Sequence, residues 1–188
     1  MQSQRRSMED NELVNRYAAG ERDFSGLSLA YSNLNGVCLA GVDLHGTSLY
    51  AARLSEAELL MVNLSDANLV GADLQKARLS GACLAHAILT GANLREADLS
   101  GRETDLSNSR LDWADLTQAN LAEANLTGVK LIGTRLEKAN LRGANLAGSD
   151  LTGAKLMQAD LTGADLTGAN LYMADFKQAT MPNGRKEG

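Results

Sequence analysis

The eleven residues Leu161-Thr162-Gly163-Ala164-Asp165-Leu166-Thr167-Gly168-Ala169-Asn170-Leu171 decide the architecture. Leucine returns at every fifth position, alanine stands two residues before Leu166 and Leu171, Asp or Asn stands just before each of these, and Gly follows two after Leu161 and Leu166. A period of five matches neither the 3.6 of an amphipathic helix nor the 2 of a half-buried strand. Regular helices and long strands are therefore excluded as the main architecture.

The same beat runs outward in both directions. One series of centres goes from Phe24 through every fifth residue to Leu99, a second from Leu106 to Phe176, and all 31 centres are Leu or Phe. The residue two before the centre is small or aliphatic except at Arg22, and in nineteen of the 31 units it is alanine. Each unit thus offers one large and one small inward side chain and three polar ones for water. A short fixed period of this kind specifies a solenoid whose neighbouring coils bury a shared core. Gly at the corners permits positive φ, and Asn, Asp and Ser suit turns because they bond nearby backbone. With Pro182 the only proline, almost every residue keeps an N–H for pairing between coils.

The units AlaAspLeuThrGly (164–168) and AlaAsnLeuArgGly (139–143) carry the motif A(D/N)LXX, which resembles the pentapeptide-repeat family over about residues 22–181. The stretch ArgTyrAlaAlaGlyGluArgAspPhe (16–24) is similar to the start of the repeats in cyanobacterial members. The resemblance implies an all-β fold, a right-handed quadrilateral parallel β-helix with four pentapeptides per coil. At four units per coil the 31 units make about eight coils, a shaft roughly 37 Å long at ~4.8 Å per strand.

Residues 1–6 are expected to be flexible. Residues 7–20 read as a short helix lidding the first coil: Ser7 and Asp10 make a capping-box-like start, Leu13, Val14 and Tyr17 form a stripe, and Gly20 ends it. The tail 182–188 is polar and is expected to fray. The last coil would then show Leu166, Leu171, Phe176 and Met181 to water, and a homodimer through paired C-terminal ends is expected, as some members of the resembled family form. The beat stumbles once, at ADLSGRETDLS (97–107), where Leu99 and Leu106 lie seven apart. A two-residue bulge near 101–105 keeps the phase and sets Leu106 over Leu84.

Composition limits the function classes. A formal net charge of −5 argues against direct binding to nucleic acid by phosphate neutralisation. No run of about 18 apolar residues suggests a membrane span. Cys38 and Cys83 have no partner at metal-ligand spacing and fit a reducing compartment, so a cytoplasmic location is expected. His45 and His86 stand about two coils, roughly 10 Å, apart, too far for one ion. No metal or other cofactor is expected. A leucine-filled shaft offers no pocket with convergent polar groups, and the chain is read as not an enzyme.

Sorting the outward residues by side distinguishes the faces. Face one displays Asp23, Asp43, Asp66, Asp105 and Asp165 with no Lys or Arg. Face two displays Tyr31, Tyr50, Val70, Ile88, Trp113, Ile132, Tyr172 and Met173, and its charges are confined to Arg110, Asp112, Lys130 and Asp150. Faces three and four mix charges of both signs. Trp113 stands between Gly91 and Gly133 of the neighbouring coils, where its ring either forms an interface or covers backbone near the bulge. The sequence is read as a noncatalytic structural or protein-binding scaffold for an unidentified protein partner, with face two as the docking surface. The resemblance also implies an alternative, a DNA-mimicking inhibitor or protector of DNA gyrase of the kind that gives quinolone resistance, with face one as its acidic strip.

Overall fold

The computed structural model describes residues 10–187. Beyond the helix α1 (Asp10–Ala18) the chain is a stack of turns joined by one-residue parallel bridges. Bridged residues are twenty apart, as in Asp23 to Asp43 and Ser28 to Ser48. Twenty residues are four units of five, so each coil has four sides.

One middle unit shows why the beat holds. The Asp73 N–H donates to the Ala52 carbonyl at 2.9 Å, and the Leu74 N–H donates to Asn93 at 2.7 Å. Lys76 donates to Arg95 at 2.9 Å, and Ala77 closes the turn on Leu74 at 3.0 Å. Only the Gln75 N–H is left by this ladder, and the Asp73 side chain accepts it at 3.3 Å. A buried or half-buried N–H without a partner costs about 1–3 kcal/mol, so Asp or Asn before the centre completes the backbone bonding of the unit. The same cap recurs as Ser25 to Asp23 at 3.0 Å and Arg142 to Asn140 at 3.2 Å.

The residue two after every centre is left-handed. Sixteen non-glycine residues and fifteen glycines, from Gly26 to Gln178, take φ above +50° there, one for each centre. The core is a column of leucines and alanines: Leu74, Leu94 and Leu116 are fully buried, with Ala72, Ala92 and Ala114 beside them. Each buried leucine contributes about 1.5–3 kcal/mol before its ordering entropy is subtracted.

At the stumble the bridges jump by twenty-two, Cys83 to Asp105 and Ile88 to Arg110, and then return to twenty with Asp105 to Asn125. Leu106 therefore stands over Leu84, and the phase survives. Thr104 repairs the break: its buried hydroxyl accepts the Gly81 N–H at 2.8 Å and donates to the Ser100 carbonyl at 2.8 Å. Elsewhere that N–H meets that carbonyl directly, as Met61 meets Ser80.

At the N-terminal end α1 lids the first coil through Leu13, which is fully buried. The expected stripe is narrower than three residues, because Val14 is 41% exposed; Leu13 and Tyr17, four apart, share the inner face. Tyr17 Oη donates to the Ala40 carbonyl at 3.3 Å, and the Arg22 guanidinium lies 4.0 Å from its ring centroid. The expected cap at Ser7 lies outside the described residues. The C-terminal tail, expected to fray, instead turns back on itself. Thr180 and Lys186 form an antiparallel bridge, and the Glu187 N–H donates to Ala179 at 2.8 Å. The tail thus adds a strand on one side of the last coil, while Leu166, Leu171, Phe176 and Met181 remain half-buried at the end of the core.

Candidate interaction faces

Face two is built by one column of bridged residues, Ser28, Ser48, Asn68, Ile88, Arg110, Lys130, Asp150 and Asn170, and by the two corner positions that follow each centre. In its first four coils no outward residue is charged. There Tyr31 and Tyr50 stack edge to face at 5.4 Å between centroids, and Tyr31 is 72% exposed. Ile88 is exposed, while Val70 and Ile132 are half-buried. Trp113 is 69% exposed and leans onto the next coil, where its ring atoms Cζ3 and Cε3 fill the space a Cβ at Gly133 would need. Tyr172 and Met173 stand exposed in the last coil. The aromatic side chains therefore form three separate groups along one face. Trp113 lies about four coils, roughly 19 Å, from Tyr31.

The leaning of Trp113 is shared by other corner residues. Met61 lies against Gly81 and Glu123 against Gly143, each twenty residues on. A left-handed corner aims its side chain toward the following coil, and glycine there leaves room. Met61 on face four is 70% exposed, and nothing in the sequence distinguishes it, because its neighbours mix charged and small residues.

Face one gathers its acids into a column that is repeatedly interrupted. Asp23 and Asp43 are bridged neighbours, then Asn63 and Cys83 intervene before Asp105, and Asn125 and Asn145 before Asp165. Asp66 stands apart at a corner, 3.7 Å from His45 Nδ1. Two of these carboxylates are tied into the scaffold: Asp43 Oδ1 accepts Asn63 Nδ2 at 3.0 Å, and Asp105 Oδ1 accepts Asn125 Nδ2 at 2.9 Å. The Ser25 N–H holds the Asp23 carboxyl below its ordinary pKa, and the Thr167 hydroxyl and N–H do the same for Asp165. The face is a ladder of Asp and Asn caps more than a continuous strip of charge.

Face three is an ion-pair lattice in which Asp115 sits between Arg95 at 3.3 Å and Arg135 at 3.2 Å. Among the described residues no group of three or more His, Cys, Asp or Glu could hold a metal ion, and no helix is long and apolar enough to cross a membrane. Cys38 is exposed and Cys83 half-buried, with both thiols free.

These repeats match known proteins. A family model described as pentapeptide repeats matches eight copies, in segments that run from residue 47 to residue 181. HetL, a pentapeptide repeat protein involved in heterocyst differentiation regulation from the cyanobacterium Nostoc sp. strain PCC 7120, is 32% identical over 96% of this chain and 100% of its own, with a TM-score of 0.33. A pentapeptide repeat protein from the thylakoid lumen of Arabidopsis thaliana is 30% identical over 66% of this chain and 71% of its own, with a TM-score of 0.29. QnrB1, a plasmid-mediated fluoroquinolone resistance protein, is 19% identical over 85% of this chain and 80% of its own, with a TM-score of 0.53. No curated protein matches. The four-sided coils are those of a right-handed quadrilateral β-helix, and the chain belongs to the pentapeptide repeat family.

Proposed function

We propose that this protein is a noncatalytic scaffold of the cytoplasm that docks another protein through face two and takes no nucleic acid. The observation that carries the reading is the exposure of Trp113, Tyr31 and Tyr172 on one side of a shaft whose interior is filled with leucine and alanine. Large aromatic side chains held at fixed spacing on a rigid surface supply contact area at little cost in ordering. The test is a pull-down from native lysate with the parent protein and with Tyr50→Ala and Trp113→Ala variants. A protein retained by the parent and lost by variants of unchanged melting temperature supports docking at face two. Equal retention by all three refutes it.

We further propose that two copies pair through their C-terminal ends. Leu166, Leu171, Phe176 and Met181 are half-buried there, and among the described residues the N–H groups of Leu166, Leu171 and Phe176 have no backbone acceptor. Such an edge is a template for pairing. Light scattering at micromolar protein is expected to give twice the chain mass, and a monomer mass removes the proposal. The gyrase-directed alternative draws less support, because face one alternates acids with neutral caps and the likeness to QnrB1 extends to the fold alone.

A further inference from the structure

We propose that the middle of face two is a recognition site for an acidic peptide segment, one whose carboxylate stands two residues from an apolar side chain. The inference rests on the reading of face two as the docking surface and names the chemistry of its partner. Arg110 and Lys130 are bridged neighbours in adjacent coils, about 4.8 Å apart. They are the only bases on that face. Each has a carboxylate beside it, Asp112 at 3.3 Å from Arg110 and Asp150 at 3.8 Å from Lys130. The pairs are lopsided toward solvent: the side chains of Arg110 and Lys130 are 59% and 51% exposed, those of Asp112 and Asp150 only 11% and 21%. The acids are the more covered member of each pair and the bases the more exposed, so the charge offered to a partner is positive although the face is formally neutral.

The bases border a groove of about 430 Å³ that runs past Asn108 and Gly128 at one end to Ile132 at the other. Trp113 follows at the adjoining corner, exposed. Along the strand Ile132 is two residues beyond Lys130, roughly 6.6 Å, which is the span between alternate side chains of an extended peptide. A ligand carboxylate over Arg110 and Lys130 then places its next same-side residue against Ile132 and the Trp113 ring. Asp105, which precedes the groove on face one in the coil of Arg110, disfavours a peptide that overshoots with a further acid in that direction, which sets polarity as well as charge.

Trp113 is the only tryptophan, so its emission reports occupancy in the full-length protein. The probe is the capped peptide acetyl-Gly-Asp-Ala-Phe-Gly-amide, titrated to millimolar concentration at low salt, beside the same peptide with lysine in place of aspartate and a thymidine octanucleotide. A saturable change in emission with the aspartate peptide, at least fivefold weaker for the lysine peptide and for an Arg110→Gln, Lys130→Gln variant of unchanged melting temperature, supports the site. No saturable change, equal response to both peptides, or tighter binding of the octanucleotide overturns it. The partner pull-down separates the two levels: a partner lost by Trp113→Ala but kept by Arg110→Gln, Lys130→Gln leaves docking at face two standing and refutes the acidic chemistry.

Discussion

The ring of Trp113 occupies the space in which a side chain at Gly133 would stand, one coil further along the shaft. Gly133 is itself left-handed, at φ +64°. An alanine there meets both obstacles, a backbone conformation that costs of order 1–3 kcal/mol for a side-chain-bearing residue and a collision with the indole. Gly133→Ala is expected to lower stability by about 1–3 kcal/mol and to red-shift Trp113 emission as the ring is displaced. Gly153→Ala, at the same kind of corner with nothing within 4 Å, is expected to lower stability without the spectral change. Denaturant melts and fluorescence of the two variants check the pair. A red shift in both would separate the ring from Gly133.

Thr104 holds the two-residue bulge by placing one hydroxyl between the Gly81 N–H and the Ser100 carbonyl. Thr104→Val keeps the volume and removes both bonds. It is expected to cost about 2 kcal/mol or more, because two backbone groups lose their partner at a buried site. Thr104→Ser is expected to stay within about 1 kcal/mol of the parent. Deleting Arg102 and Glu103 brings Gly81 and Ser100 back into the ordinary register and is expected to leave the fold intact. Urea titrations of the three variants measure this. A Thr104→Val variant as stable as the parent removes the bridging role.

The beat of Leu and Ala made the coil, its four sides and the phase across the bulge readable, because a five-residue period has few physical solutions. The inward pair and the neighbourhood of Trp113 and Gly133 followed from counting by twenty. Less readable was the purpose of Asp and Asn before each centre: the residue pattern suggests turn tolerance, whereas the structure shows the side chain taking the one N–H the ladder leaves. That distinction needs the bonding of neighbouring coils. The role of Thr104 was hidden because threonine is also a small inward residue at positions 47 and 134. The turn of the tail is not legible, because polar, Gly-containing sequence serves a tight turn as well as a frayed end. On the faces, sequence placed every aromatic residue on its side but could not show that Asp112 and Asp150 sink while Arg110 and Lys130 stand out.

Corner residues offer a route to higher stability. Gln118 is left-handed at φ 61° and exposed, and none of its side-chain atoms makes a hydrogen bond among the described residues. Replacing it with glycine relieves a conformation that L residues adopt at a cost. Part of that gain is offset by the greater freedom of glycine in the unfolded chain. Gln118→Gly is expected to be neutral to about 1 kcal/mol stabilising, and Gly148→Gln, the reverse change at an equivalent corner, to be destabilising by a similar amount. Thermal melts of both variants decide, and destabilisation by Gln118→Gly would show that the corner does not strain its side chain.

Acid should weaken the shaft through its caps. Burial works to raise the Asp98 pKa, but hydrogen bonds from Ser100, Ser80 and Asn120 outweigh it and leave the carboxyl below its ordinary 3.8. Asp150 is lowered chiefly by the Thr152 hydroxyl; burial works to raise Asp160, but Thr162 and Arg142 together outweigh it and leave it lowered. A carboxyl with a lower pKa folded than unfolded binds fewer protons when folded. Its stabilisation is complete above the unfolded value near 3.8 and is lost as pH falls through the folded one. Melting temperature is therefore expected to fall steeply only below about pH 4, where these caps take up protons. Asp98→Asn preserves an acceptor of the kind Asn120 already provides to Ala122 and removes one titrating group. It is expected to remain folded at pH 7 and to lose less stability than the parent between pH 4 and pH 2. An unchanged acid slope in Asp98→Asn would mean that the Asp98 cap does not couple folding to pH.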